Sequence, residues 1–163
     1  MKHCDDFVVV ENQSLGSAFF KLSLQTCSPL PEITAGQFVE VRVPQTEGII
    51  LRRPISIHDV DYDTKTIILL IRIAGKGTKQ LSMLKKGECV NLIYPLGNGF
   101  DCKGDDVLLI GGGVGVAPLL FLAKSFHLKG IRPNILLGYR DKEQFLDLPE
   151  FNRYGEVFIA TQD

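Results

Sequence analysis

Cysteine is sparse in this sequence and never paired. Cys4, Cys27, Cys89 and Cys102 form no C-x-x-C unit and join no histidine cluster, so their spacing carries no zinc or iron–sulfur signature. His3, His58 and His127 are scattered, and no Ser/His/Asp or Cys/His set for nucleophilic catalysis is present. No residue is assigned a catalytic or metal-ligating role. Neither sign of charge dominates. Eighteen Lys and Arg against 19 Asp and Glu leave a formal net charge of −1, with none of the basic runs that nucleic acid or an anionic membrane would need. Long hydrophobic runs are missing too: Ile67–Ile71 and Val107–Ile110 fall far short of a bilayer span. The opening Met1-Lys2-His3-Cys4-Asp5-Asp6 is polar and unlike a secretory signal, which leads to the expectation of a cytoplasmic protein with free thiols. The 163 residues, 45% hydrophobic and 23% charged, suffice for one ordinary domain or two small ones.

Two patterns share the chain. Up to about residue 100, short segments rich in Val, Ile and Phe alternate with turn residues: Phe7–Glu11, Phe19–Leu24, Phe38–Val43, Pro54–His58, Thr66–Ile73 and Glu88–Ile93. The turn residues include Ala35-Gly36, Gln45–Gly48, Asp61–Thr64 and Lys86-Gly87. Six strands at this spacing predict an antiparallel barrel, which closes on itself and leaves no exposed edge. One short helix, about Thr78–Leu84, would plug an end. After Gly104 the pattern changes to strand (Val107–Ile110), helix (Ala117–Leu128), strand (Asn134–Gly138), short helix (Lys142–Leu148) and strand (Glu156–Ala160). That alternation is half of a doubly wound, parallel, Rossmann-like nucleotide-binding unit. The expected organisation is therefore a barrel domain over 1–100 and an incomplete α/β domain over 101–163. Three parallel strands need further strands and helices to cover their edge and faces, so the chain is expected to be a fragment ending inside its second domain.

Four segments could carry chemistry. In Leu51-Arg52-Arg53-Pro54-Ile55-Ser56-Ile57 a guanidinium stands beside a proline-stiffened strand start, with a hydroxyl three residues on. Arg53 suits a pyrophosphate, and Ser56 with its neighbouring backbone suits the polar edge of a heterocycle; the same residues could equally form a surface arginine pair before an edge strand. Gly75-Lys76-Gly77-Thr78 lies between a strand and the short helix, where glycines allow close backbone approach and helix-start N–H groups bind anions. Its plain structural alternative is a turn with Thr78 as N-cap. The run Gly111–Gly115 follows a strand and precedes a helix, the setting in which a dinucleotide pyrophosphate sits on a helix N-terminus. It lacks the Lys-Ser/Thr of a P-loop and is not a strict G-x-G-x-x-G, since Pro118 holds the place of a late glycine. The alternative is a merely tight strand–helix turn. In Leu96-Gly97-Asn98-Gly99-Phe100, a hinge or plain linker, Phe100 is a candidate lid. Arg140 follows a parallel strand at its carboxyl end, where such sheets bind ligands, or is a solvated loop residue.

Taken in order, Arg-Pro-x-Ser, Gly-x-Gly-Thr and a glycine-rich strand–helix turn resemble the ferredoxin reductase superfamily of flavoproteins. Within it, the chain is similar to the electron-transfer subunits of bacterial type B dihydroorotate dehydrogenases. The matching segments are 51–57, 75–78, Pro95-Leu96-Gly97-Asn98-Gly99-Phe100, Gly111–Pro118 and Ala35-Gly36-Gln37-Phe38. The resemblance implies FAD on the barrel, with Arg53, Pro54, Ile55 and Ser56 as a first flavin-binding stretch and Leu70, Ile71 and Arg72 as a second. Gly75, Gly77 and Thr78 match the pyrophosphate-binding turn. NAD(H) would sit on the second domain at Gly111, Gly112, Gly113, Gly115, Pro118 and Arg140. An aromatic residue usually precedes the serine in the wider superfamily; here it is Ile55. The resemblance also implies a [2Fe–2S] centre, which none of the four cysteines matches and which is expected only beyond Asp163. It implies as partner an FMN-containing dihydroorotate dehydrogenase catalytic subunit, in pyrimidine biosynthesis. A reductase subunit with another partner (of the sulfide dehydrogenase or NADPH–ferredoxin oxidoreductase type) and a non-catalytic nucleotide-binding module are the alternatives.

Overall fold

Alternating apolar side chains become the lining of a closed barrel. The structure, a computed structural model, describes residues 2–44, 49–140 and 146–162, so the turn expected at Gln45–Gly48 lies outside the described residues. Six strands, β1 (His3–Leu15), β2 (Phe19–Gln25), β3 (Phe38–Val41), β4 (Arg53–Asp61), β5 (Thr66–Arg72) and β6 (Cys89–Leu96), close antiparallel in the order β1-β2-β5-β4-β3-β6. Phe7 and Val9 on β1, Val39 and Val41 on β3, and Val90, Leu92 and Tyr94 on β6 are buried at every second position, the period a pleated strand imposes. Helix α1 (Lys76–Ser82) sends fully buried Leu81 into this core. Its C-terminal carbonyls are held by Asn12, whose Nδ2 donates to the oxygens of Leu81, Ser82 and Leu84 at 3.2, 3.2 and 2.8 Å.

Strand β1 is far longer than Phe7–Glu11. Its polar ends have little strand propensity, but His3–Val8 pairs with β6 and Val8–Leu15 with β2, and those ladders override propensity. On β2 and β5 burial departs from alternation: Leu22, Ser23 and Leu24 are all buried, as are Leu69, Leu70 and Ile71. Part of the outer face is covered by the second unit: the turn Gly113–Val116 packs on β5, and the helix Leu119–His127 on β4.

That second unit is a parallel sheet in the order β7 (Leu108–Gly112), β8 (Asn134–Tyr139), β9 (Glu156–Thr161). A 3-10 turn, Gly113–Val116, leads from β7 into α2 (Leu119–His127). Helix α2 buries Leu119, Leu120, Phe121, Leu122, Ala123 and Phe126, and Gly130, at φ +79°, turns the chain beyond it. Residues 142–145 of the helix expected at Lys142–Leu148 lie outside the described residues; α3 instead spans Leu148–Tyr154. Pro149 explains the placement, because a residue without an N–H belongs in a first helical turn and not in the middle of a helix. Among the described residues no helix is long and apolar enough to cross a membrane.

Candidate functional site

Two clefts open where the units meet, and they share a wall. The first, of about 480 Å³, lies between the barrel rim and the glycine-rich turn. Pro54, Ile55, Ser56, Leu70, Ile71, Arg72 and Thr78 line it from the barrel, facing Val114, Gly115 and Pro118. The second, of about 370 Å³, lies at the carboxyl ends of β7 and β8, lined by Ala18, Phe19, Gly113, Gly138, Tyr139, Arg140 and Gln162. Arg72 and Val114 line both clefts. Sequence reasoning missed Val114, which is 41% exposed between them. A valine inside a glycine run signals nothing by itself, and only the crossing of two units gives it a position.

The adjacent arginines divide their labour. Arg52 reaches across the barrel: its Nη1 donates to the carbonyls of Glu40 and Asn91 at 3.3 and 3.1 Å, and Nη2 to Asn91 Oδ1 at 2.6 Å. Among the described residues Arg53 donates to backbone oxygens of its own segment, Leu51 at 3.1 Å and Arg52 at 3.3 Å, and its guanidinium rests on Gly77. A β-carbon built at Gly77 would stand 2.5 Å from Arg53 Nε, so a glycine there is what lets the cation lie against the start of α1. Arg53, Gly75 and Gly77 do not line the first cleft; Thr78, one residue past Gly77, does.

Thr78 is not an N-cap. Gly75, in extended conformation, holds that position, and α1 begins two residues before the expected start. The Thr78 hydroxyl folds back to accept the N–H groups of Ala74 (2.9 Å) and Gly75 (3.2 Å). It thereby fixes the turn beside the cleft.

In the glycine run each position has a distinct job. Gly111 lies under α2, where a β-carbon would come within 2.6 Å of Leu119 Cδ1 and 3.2 Å of Gly115 O. Gly113 adopts φ +53°, a conformation costly for residues with a side chain. Gly115 faces open space, with nothing within 4 Å of a built β-carbon, and lines the first cleft. Gly111 and Gly112 line neither cleft; they set the strand and its packing. Pro118 precedes α2 and does line the first cleft. Phe100, the candidate lid, lines neither. Its ring covers Gly36, where a β-carbon would sit 2.7 Å from Phe100 Cδ2, and its N–H donates to Ala35 O at 2.7 Å. The 96–100 segment is thus strapped to the turn before β3, with Gln37 Nε2 also donating to Gly97 O at 3.0 Å.

Behind the first cleft the units are tied by buried polar contacts. His58, fully buried, stands where the β4–β5 register slips: Ile57 pairs with Leu69 but Asp59 with Ile68. Such a bulge re-aims a side chain. Its Nδ1 lies 2.6 Å from the carbonyl of Ala117 and its Nε2 2.8 Å from Asp147 Oδ2. Lys21 Nζ meets Asp147 Oδ1 at 2.8 Å. Burial pushes the Asp147 carboxyl up, but the hydrogen bonds and charges of His58 and Lys21 outweigh it and hold the group below the ordinary carboxylate value. Lys124 of α2 adds a second tie, to Asp59 Oδ1 at 2.9 Å and Val60 O at 3.0 Å.

No family model matches the chain. Among curated proteins it is similar to the electron transfer subunits of dihydroorotate dehydrogenase B (NAD(+)) from Fusobacterium nucleatum and Streptococcus pneumoniae. Identity is 36% over 163 residues and 40% over 159, covering 98% and 95% of this chain. The likeness to these electron transfer subunits runs over nearly the whole of this chain. It spans 63% and 61% of their respective lengths. Among solved structures, the NADH-dependent reduced ferredoxin-NADP oxidoreductase aligns at 28% identity and TM-score 0.83 over 95% of this chain and 56% of its own. Phthalate dioxygenase reductase shares the fold, at 20% identity and TM-score 0.82 over 98% of this chain and 52% of that one. The barrel followed by a parallel sheet is the architecture of ferredoxin reductases, as the motif order implied.

Proposed function

We propose that this chain is the flavin-binding and nucleotide-entry portion of an electron-transfer subunit, with FAD in the first cleft and NAD(H) in the second. The observation that carries the reading is the shared wall: Arg72 and Val114 line both clefts, so two ligands filling them would meet edge to edge. In this reading 1–100 is the FAD-binding domain and 101–163 the N-terminal half of the NAD-binding one. The last barrel strand ends at Leu96 and the first parallel strand starts at Leu108, which supports a boundary between them.

The residues present suit these groups. Pro54, Ile55, Leu70 and Pro118 offer apolar edges to a heterocycle, Ser56 a hydroxyl, and Gly115 the space that a side chain would fill; Gly115 and Pro118, expected on the NAD(H) side, line this cleft and not the second. Arg53 carries a cation with no carboxylate partner among the described ion pairs, poised for phosphate. Arg140 lines the second cleft and is assigned to the nucleotide's ribose or phosphate. Bound FAD would supply the exchange between a two-electron hydride donor and a one-electron acceptor; the protein supplies position and electrostatics.

We assign as its partner a dihydroorotate dehydrogenase catalytic subunit carrying FMN, in a cytoplasmic setting; similarity to proteins named as electron transfer subunits of dihydroorotate dehydrogenase B supports the dihydroorotate dehydrogenase part of that reading. The [2Fe–2S] centre belongs in this proposal to the part of the family's length beyond Asp163; among the described residues no three His, Cys, Asp or Glu gather to hold a metal. The deciding experiment is the visible spectrum of the purified chain before and after incubation with FAD and desalting. A retained flavin spectrum supports the reading. A folded, colourless protein that cannot be reconstituted overturns it in favour of a non-catalytic module.

A further inference from the structure

We infer that His58 is a positioning residue, a doubly protonated imidazole that clamps the glycine-rich turn against the barrel and so shapes the first cleft. Both atoms facing its ring are acceptors. The Ala117 carbonyl, 2.6 Å from Nδ1, can only accept, so Nδ1 carries a proton. Asp147 Oδ2, 2.8 Å from Nε2, belongs to a carboxylate whose other oxygen already takes Lys21 Nζ at 2.8 Å. A proton must lie on that second contact also, and an ionised carboxylate leaves it on Nε2. The imidazole, fully buried, therefore bridges as a cation.

The bridge touches the site through Ala117, which lines the first cleft beside Gly115 and Pro118. Because His58 sits in a bulge of β4, Asp147 at the start of α3 and Lys21 on β2, losing one proton loosens three elements together. Without it Nε2 presents a lone pair to a carboxylate, and an attractive contact becomes repulsive. Among the described residues, the titratable groups around the ring are Asp147 and Lys21, the neighbouring Asp59–Lys124 pair at 2.9 Å, and Tyr139, whose hydroxyl donates to Leu146 O at 3.3 Å. Phe151 of α3 closes the remaining side, its ring centroid 6.4 Å from that of His58.

The inference rests on the flavin reading only for its effect on ligand, and the test keeps the two apart. On the chain without flavin, 15N NMR of the His58 ring near neutral pH should show protons on both nitrogens. His58→Leu removes both contacts and should quicken amide exchange around 113–120. Asp147→Asn keeps the geometry with a neutral ring, since its amide can donate to Nε2 and its carbonyl accept from Lys21, and should leave exchange there slow. With FAD, His58→Leu should lose affinity by about tenfold or more, the size expected for one charge-assisted hydrogen bond, whereas Asp147→Asn should stay near the wild type. A singly protonated ring near neutral pH, or exchange in His58→Leu as slow as in the wild type, overturns the clamp. Failure of the wild type and Asp147→Asn to bind FAD, with the NMR and exchange differences intact, overturns the flavin reading and leaves the clamp standing.

Discussion

Replacing Arg53 and Arg52 by alanine, one at a time, tests the division of labour between them. Among the described residues Arg53 has no hydrogen-bond partner that ties distant parts of the chain; it bonds to carbonyls one and two residues back. Arg53→Ala should therefore leave the midpoint of thermal unfolding within about 1 °C, as for a surface substitution. If the guanidinium holds a flavin pyrophosphate, what is lost is one charge-assisted interaction of about 1.5–3 kcal/mol, or roughly 10- to 150-fold in Kd. Arg52→Ala should behave oppositely. It removes three hydrogen bonds that join β3 to β6 through Glu40 and Asn91 and should cost about 2 kcal/mol, a fall of roughly 4–8 °C in Tm for a chain of this size. The assays are FAD titration by fluorescence quenching and thermal unfolding of the flavin-free chain. Full FAD affinity in a folded Arg53→Ala protein would refute the assignment of Arg53. Equal losses of stability in the two variants would refute the division itself.

Three further outcomes follow from the packing. Gly115→Leu should fold with unchanged Tm, because its side chain enters open space, yet fill the first cleft and block FAD uptake in the same titration. Gly155→Ala should destabilise the parallel-sheet unit by at least about 1–3 kcal/mol, since a β-carbon there would stand 2.5 Å from both Pro133 O and Ile135 Cδ1; unfolding in urea measures it. Asp147, held below the ordinary carboxylate value of 3.8, adds stability that is complete above that value and disappears as pH falls through the lower folded-state one. A stability profile down to acid pH should lose that increment in the wild type, while Asp147→Ala should lack it at every pH.

The sequence by itself determined the two-part architecture and the order of its motifs. Alternating Val, Ile and Phe fix which face of a strand is buried, and glycine, proline and arginine at set spacings fix where the backbone can turn closely and carry a cation. These are local properties, and the six barrel strands and the parallel sheet were legible from them. Whatever depends on two distant segments meeting was not. The polar ends of β1 become strand because β6 and β2 lie on either side. Arg52 and Arg53 look alike until Asn91, 39 residues from Arg52, takes hold of one of them. Phe100 read as a lid because aromatic residues suit that task, but the strap that carries it is bonded to Ala35, on the turn before β3. His58 looked unremarkable because its partners, Ala117 and Asp147, are 59 and 89 residues away. Burial and a one-residue slip in register, both products of closing the barrel against the second unit, turned an isolated histidine into the link between them.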